Sequence, residues 1–87
     1  MDKTTTIKIA EEIKREQRGN NLLILEKLES PHKLWSKGKT MHYALYYRWL
    51  KGNDPTRVQG QDVSYWTKKE GQEMIKNGLF NSVNLFP

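Results

Sequence analysis

The 87 residues include no cysteine. That absence removes disulfide staples, thiolate metal ligands and a cysteine nucleophile together. Long apolar runs are missing too. None approaches the roughly 18 residues of a membrane-spanning helix, and the mean hydropathy is −0.87. The opening MDKTTTIKIAEE lacks the apolar stretch and small-residue cleavage site of a secretory leader. An unstapled small domain suits a reducing compartment, so the expected location is the cytoplasm, with no membrane partner.

The residue types of common active sites are equally sparse. There are two histidines, His32 and His42, and their spacing matches no metal-binding pattern. Ser30, Ser36, Ser64 and Ser82 stand outside any nucleophile elbow. Gly38, Gly52 and Gly60 form no phosphate-cradling loop. The acid pairs Glu11/Glu12 and Glu70/Glu73 read as first-turn helix acids. The expectation is therefore a non-enzyme, with no catalytic residues, no metal and no cofactor.

What the chain does have is positive charge in one region. The net charge is +5. Residues 1–30 hold six cations against six anions. Residues 31–69 hold eight cations (Lys33, Lys37, Lys39, Arg48, Lys51, Arg57, Lys68 and Lys69) against Asp54 and Asp62. Seven of the nine aromatic residues fall in the same region: Trp35, Tyr43, Tyr46, Tyr47, Trp49, Tyr65 and Trp66. Such asymmetry points to an acidic partner.

Periodicity gives a provisional architecture: a single small α+β domain. Residues 1–30 read as a helical hairpin. Ile7, Ile9, Ala10 and Ile13 make one apolar stripe, and Leu22, Ile24, Leu25 and Leu28 make another. Thr4–Thr6 supply cap hydroxyls. Gly19-Asn20-Asn21 breaks the two helices, and Ser30-Pro31 ends the second.

Residues 31–66 read as a basic, aromatic β region of two or three antiparallel strands. Met41, Tyr43, Leu45, Tyr47 and Trp49 alternate with His42, Ala44, Tyr46, Arg48 and Leu50, which is strand spacing. That assigns Tyr43, Tyr47 and Trp49 to the core, and Tyr46 and Arg48 to the wetter face. A short strand at 32–35 precedes the turn at 36–40. Arg57–Trp66 returns as a strand, with a bulge or loop at Gly60.

Residues 67–78 read as a helix opened by a capping box, Thr67-Lys68-Lys69-Glu70. Met74 and Ile75 are expected inward, and Asn77-Gly78 should close the helix. Residues 79–87 form an apolar tail with Leu79, Phe80, Val83, Leu85 and Phe86. It docks on the core or serves as a homodimer seam over 79–86.

YWTKKEGQEMI, residues 65–75, resembles the opening helix of small excisionase-like DNA-binding proteins. The resemblance covers 11 of the 87 residues, with Gly71 where a helix former would be expected. No function is carried across from it.

The functional expectation is non-catalytic binding of nucleic acid, in a regulatory or accessory role. Lys33, Lys37, Lys39, Arg48, Lys51, Arg57, Lys68 and Lys69 would hold phosphate, and Trp35, Tyr46 and Trp66 would stack on bases. The alternative is a small protein-binding inhibitor or adaptor. A mobile-element-encoded antagonist of a larger nucleic-acid-handling host protein would be one example, because Tyr, Trp and Arg also dominate protein interfaces.

Overall fold

Residues 11–34 and 38–82 are described by the computed structural model. They form four strands followed by two helices. The strands are β1 (Glu11–Arg18), β2 (Asn21–Leu34), β3 (Lys39–Leu50) and β4 (Val58–Trp66), and the helices are α1 (Lys68–Asn77) and α2 (Leu79–Ser82). The strands make one antiparallel sheet in the order β1-β2-β3-β4.

This overturns the expected α+β layout in two respects. The segment expected to be a helical hairpin is a β-hairpin over residues 11–34, and the sheet has four strands, not two or three. Residues 1–10 of the expected first helix lie outside the described residues.

Two physical features account for the difference. First, Leu22, Leu23, Ile24 and Leu25 are all buried. Leu23 and Leu25 join one apolar cluster, and Leu22 and Ile24 join another. A strand sends successive side chains to opposite faces, so β2 fills cores on both sides. Second, β1 and β2 are joined by two residues, Gly19-Asn20, between the paired Arg18 and Asn21. Gly19 has φ 59° and no non-glycine residue has positive φ among the described residues. That fits a II′ hairpin turn, which takes glycine at its first central position. Pro31 does not end the element. It lies in β2, in the irregular stretch between Lys27 and His32 where the register with β3 shifts.

The alternation expected for β3 is present. Met41, Tyr43 and Leu45 are buried, with Tyr47 and Trp49 partly so. Tyr43, Leu45 and Tyr47 belong to the cluster that includes Met74 of α1 and Leu79 of α2. The helices therefore cover the face of the sheet that carries the odd-numbered residues of β3. Gly71 is buried where α1 crosses Tyr43, and a Cβ there would overlap the Tyr43 ring. Glycine is thus the residue that lets the helix seat on the sheet. Of the two residues expected inward on α1, Met74 is buried but Ile75 is 37% exposed, because only one lies on the stripe facing β3.

The bulge or loop expected at Gly60 is a bulge, with the neighbouring Gln59 as the extra residue. Trp49 pairs with Gly60 and Leu50 with Val58, leaving Gln59 extra. The Gln59 side-chain amide donates to the Leu50 carbonyl at 3.1 Å. A Cβ at Gly60 would overlap the Trp49 indole, so the missing side chain leaves room for the ring.

The capping box opens α1 as the sequence implied. Thr67 N–H donates to Glu70 Oε1 at 3.0 Å, and Glu70 N–H donates to Thr67 Oγ1 at 3.3 Å. Gly78 has φ 99° and donates its N–H to the Met74 carbonyl at 2.9 Å. The tail then docks on its own chain: Leu79 is buried and Phe80 packs against the same cluster. Val83, Leu85 and Phe86 of that tail lie outside the described residues. Among those residues no helix is long and apolar enough to cross a membrane.

Candidate nucleic-acid interface

The second face of the sheet carries the even-numbered residues of β3. Among the described residues no helical side chain joins its apolar cluster of Leu22, Ile24 and Leu50, against which Tyr46 packs. Cross-strand register arranges this face in rows. Arg15, Ile24, Tyr46 and Val63 form the central row. Gln17, Leu22, Arg48 and Gln61 lie on one side of it, and Glu12, Glu26, Ala44 and Tyr65 on the other.

Tyr46 sits at the centre, half-buried. The Arg48 guanidinium carbon is 5.8 Å from its ring centroid, within cation–π range. Arg48 Nε also donates to Gln61 Oε1, which fixes the guanidinium beside the ring. Burial raises the Tyr46 hydroxyl above its usual pKa. The Glu26 carboxylate, which accepts its hydrogen bond, and the Tyr65 phenol push the same way, against the pull of Arg48. The phenol therefore stays a neutral donor. Arg15 is held by Glu12 through bonds of 2.8 and 3.1 Å, and that guanidinium, ahead of other influences, keeps Glu12 below the usual carboxylate range.

The remaining expected phosphate contacts are distributed over the molecule. Lys33 pairs with Thr40, on the face of Tyr46 and Arg48, whereas Lys39 lies on the helix-covered face by its register with Met41. Both are exposed. Lys51 and Arg57 are exposed in the β3–β4 connection, joined by a Lys51 N–H to Arg57 carbonyl bond of 2.8 Å. Asp54 stiffens that loop by accepting from Thr56 N–H and Oγ1 at 2.9 and 2.7 Å, an Asx turn. Gln17 ties it to β1 through the Asn53 carbonyl at 2.8 Å.

Lys39 is the first residue of β3, and Lys51 follows its last residue, Leu50. The loop pair and the Lys33/Lys39 pair therefore stand at opposite ends of the sheet. Lys68 and Lys69 are exposed at the start of α1, on the helix-covered side. Trp66 packs into the helix-side cluster and donates its indole N–H to Ser64 Oγ at 2.8 Å. Trp35 and Lys37 lie outside the described residues.

The structure thus brings Tyr46 together with Arg48, and Lys51 with Arg57. It does not gather all the expected cations on one face. It adds Tyr65, Val63 and Arg15 to the face of Tyr46. Tyr65 was legible from the alternation with Gln61 and Val63. Arg15 was not, because its segment carried a helical pattern. Elsewhere, a cavity of about 230 Å³ beside α1 is lined by Trp66, Glu70, Glu73 and Met74 among others, and its two acids suit phosphate poorly. Among the described residues no group of three or more His, Asp or Glu is placed to hold a metal ion.

Comparison with models of known families, with curated proteins and with solved structures finds no match to this chain.

Proposed function

We propose that the protein binds nucleic acid without catalysis, using the face of the sheet that carries Tyr46 and Arg48. The observation that carries this reading is the Tyr46–Arg48 pair at the centre of that face, with Tyr65 one row away. A ring beside a fixed guanidinium offers a base a stacking surface and a phosphate a cation. Lys33 lies on the same face, and Lys51 and Arg57 lie beyond the opposite end of β3. These cations stand at the two ends of β3, on either side of Arg48.

The near-neutral balance of Arg15, Arg48, Glu12 and Glu26 across the same face favours a second reading, a protein partner docked on Tyr46, Tyr65 and Val63. Salt separates the two. Nucleic-acid affinity falls log-linearly with salt through counterion release, whereas a ring-centred protein interface is much less sensitive. The test is anisotropy of labelled single- and double-stranded oligonucleotides in a salt series, with wild type, Tyr46→Ala and Arg48→Ala. The expected result is binding at low salt, reduced about fivefold or more by either change, on the scale of about 1–3 kcal/mol for a lost stacking contact. No binding at low salt, or equal binding by all three proteins, would overturn the reading.

A further inference from the structure

The two edges of the sheet are guarded differently. β1, EEIKREQR, carries six charged residues in eight. β4, VQGQDVSYW, carries one, Asp62, with no lysine, arginine or proline. Both Val58, 43% exposed, and Val63, 40% exposed, lie on it. Edge strands present unpaired N–H and C=O groups, and chains that stay single blunt them with charge, proline or short length. In its own composition β1 has that protection and β4 does not.

We propose that β4 pairs antiparallel with β4 of a second copy about a two-fold axis at Val63, joining two sheets into one of eight strands. Three observations select the partner and the register. The bulge at Gln59 ends the regular part of β4 on one side and the turn into α1 at Thr67 ends it on the other. The segment left, residues 60–66, is centred on Val63, which is where a two-fold axis pairs it along its full length.

Charge acts in the same direction. An axis at Asp62 would set two carboxylates opposite each other, which is destabilising. An axis at Val63 sets Asp62 opposite Ser64 of the second copy, and Gln61 opposite Tyr65. Because Val63 meets its own equivalent, both copies keep the same face up. The two Tyr46 faces become one surface, and both α1 helices fall on the other side. There is room for them, since the two β3 strands would be three strand spacings apart, about 14 Å, against a helix diameter of about 10–12 Å.

The pairing does not depend on what the Tyr46 face binds, and it is tested on the full chain after nuclease and high-salt washing. Sedimentation from low micromolar to near-millimolar concentration should show the mass rising from 10.3 kDa towards twice that value. Val63→Lys should stay monomeric at every concentration. Ile75→Lys, the same change at an exposed apolar residue on α1, should dimerise like wild type. Circular dichroism checks that each variant is folded.

The chain has no native thiol, so Val63→Cys also reports the axis directly. Mild oxidation should give a covalent dimer, and Val58→Cys, outside the paired segment, should not. A wild-type chain that is monomeric throughout would overturn the proposal, leaving at most a foreign strand for this edge. Dimerisation of Val63→Lys, or equal cross-linking of the two cysteine variants, would overturn it as well.

Discussion

The ring of Tyr43 lies against the backbone of α1 at Gly71, with no space between them for a methyl group. Alanine at that position would raise helix propensity by about 1 kcal/mol and simultaneously drive its Cβ into a buried ring. Overpacking of a core contact costs about 1–3 kcal/mol, so the clash prevails. Gly71→Ala should lower the urea midpoint. Pairing it with Tyr43→Leu should recover part of the loss, because the smaller side chain frees the space. A midpoint unchanged or raised by Gly71→Ala would mean that the helix stands off the sheet.

Glu16 joins β1 to the tail. Its carboxylate accepts from the N–H groups of Leu79 and Phe80 at 2.9 and 3.4 Å, and it pairs with Lys14 at 3.3 Å. Lys14 in turn donates to the Ile75 carbonyl at 3.2 Å, in the last turn of α1. Burial pushes the Glu16 pKa upward, but the two amides and Lys14 outweigh it and hold the group below its ordinary 4.5. The folded state therefore binds this proton less readily than the unfolded state. The stabilisation is complete above the ordinary value and is lost as pH falls through the lowered one. Glu16→Gln should flatten this part of the acid unfolding curve without removing it, since Glu12 and Asp54 are lowered too. Identical acid limbs for variant and wild type would show that the junction is not held by this carboxylate.

The capping box makes a local prediction. Thr67→Ala removes the hydroxyl that accepts from Glu70 N–H, at a typical cost of about 1 kcal/mol. Thr67→Ser should restore most of it. Thermal melts of the three proteins compare them directly. Equal melting points would mean that α1 draws its stability from packing alone.

Lys33 and Lys39 end β2 and begin β3 but lie on opposite faces. If the Tyr46 face carries the ligand, Lys33→Glu should weaken oligonucleotide binding clearly more than Lys39→Glu, with both variants equally stable. The reverse order in an anisotropy titration would move the contact surface to the helix side.

The parts of this fold that were legible in the sequence depend on local physics. The odd positions of β3 from Met41 to Trp49 are all large and apolar, so the core face of the strand was legible from spacing. The Thr67–Glu70 box and the break at Gly60 are likewise set by neighbours in the chain. The first hairpin carries an ambiguous pattern. LLIL at 22–25 can fill one stripe of a helix or both faces of a strand, and a four-residue apolar run does not distinguish them. The deciding signal was Gly19-Asn20, a two-residue II′ connection, which also reads as a helix break. The candidate site was less legible still. Clustering along the chain suggested clustering in space, but a strand of twelve residues carries its two ends far apart and its side chains to two faces. Lys33, Lys39, Lys51 and Arg57 were therefore separated by geometry that composition does not contain.

Among the described residues the strand order in space repeats the order along the chain. Every pairing is then a hairpin between successive segments, and no strand must wait for a distant partner. Low sequence separation of this kind speeds assembly relative to other all-strand topologies. The sheet can zip from one hairpin to the next, whereas α1 holds to it through Met74 and the close contact of Gly71 with Tyr43. The helix should accordingly be the first element to detach under stress, with its amides exchanging hydrogen before those of the central strands.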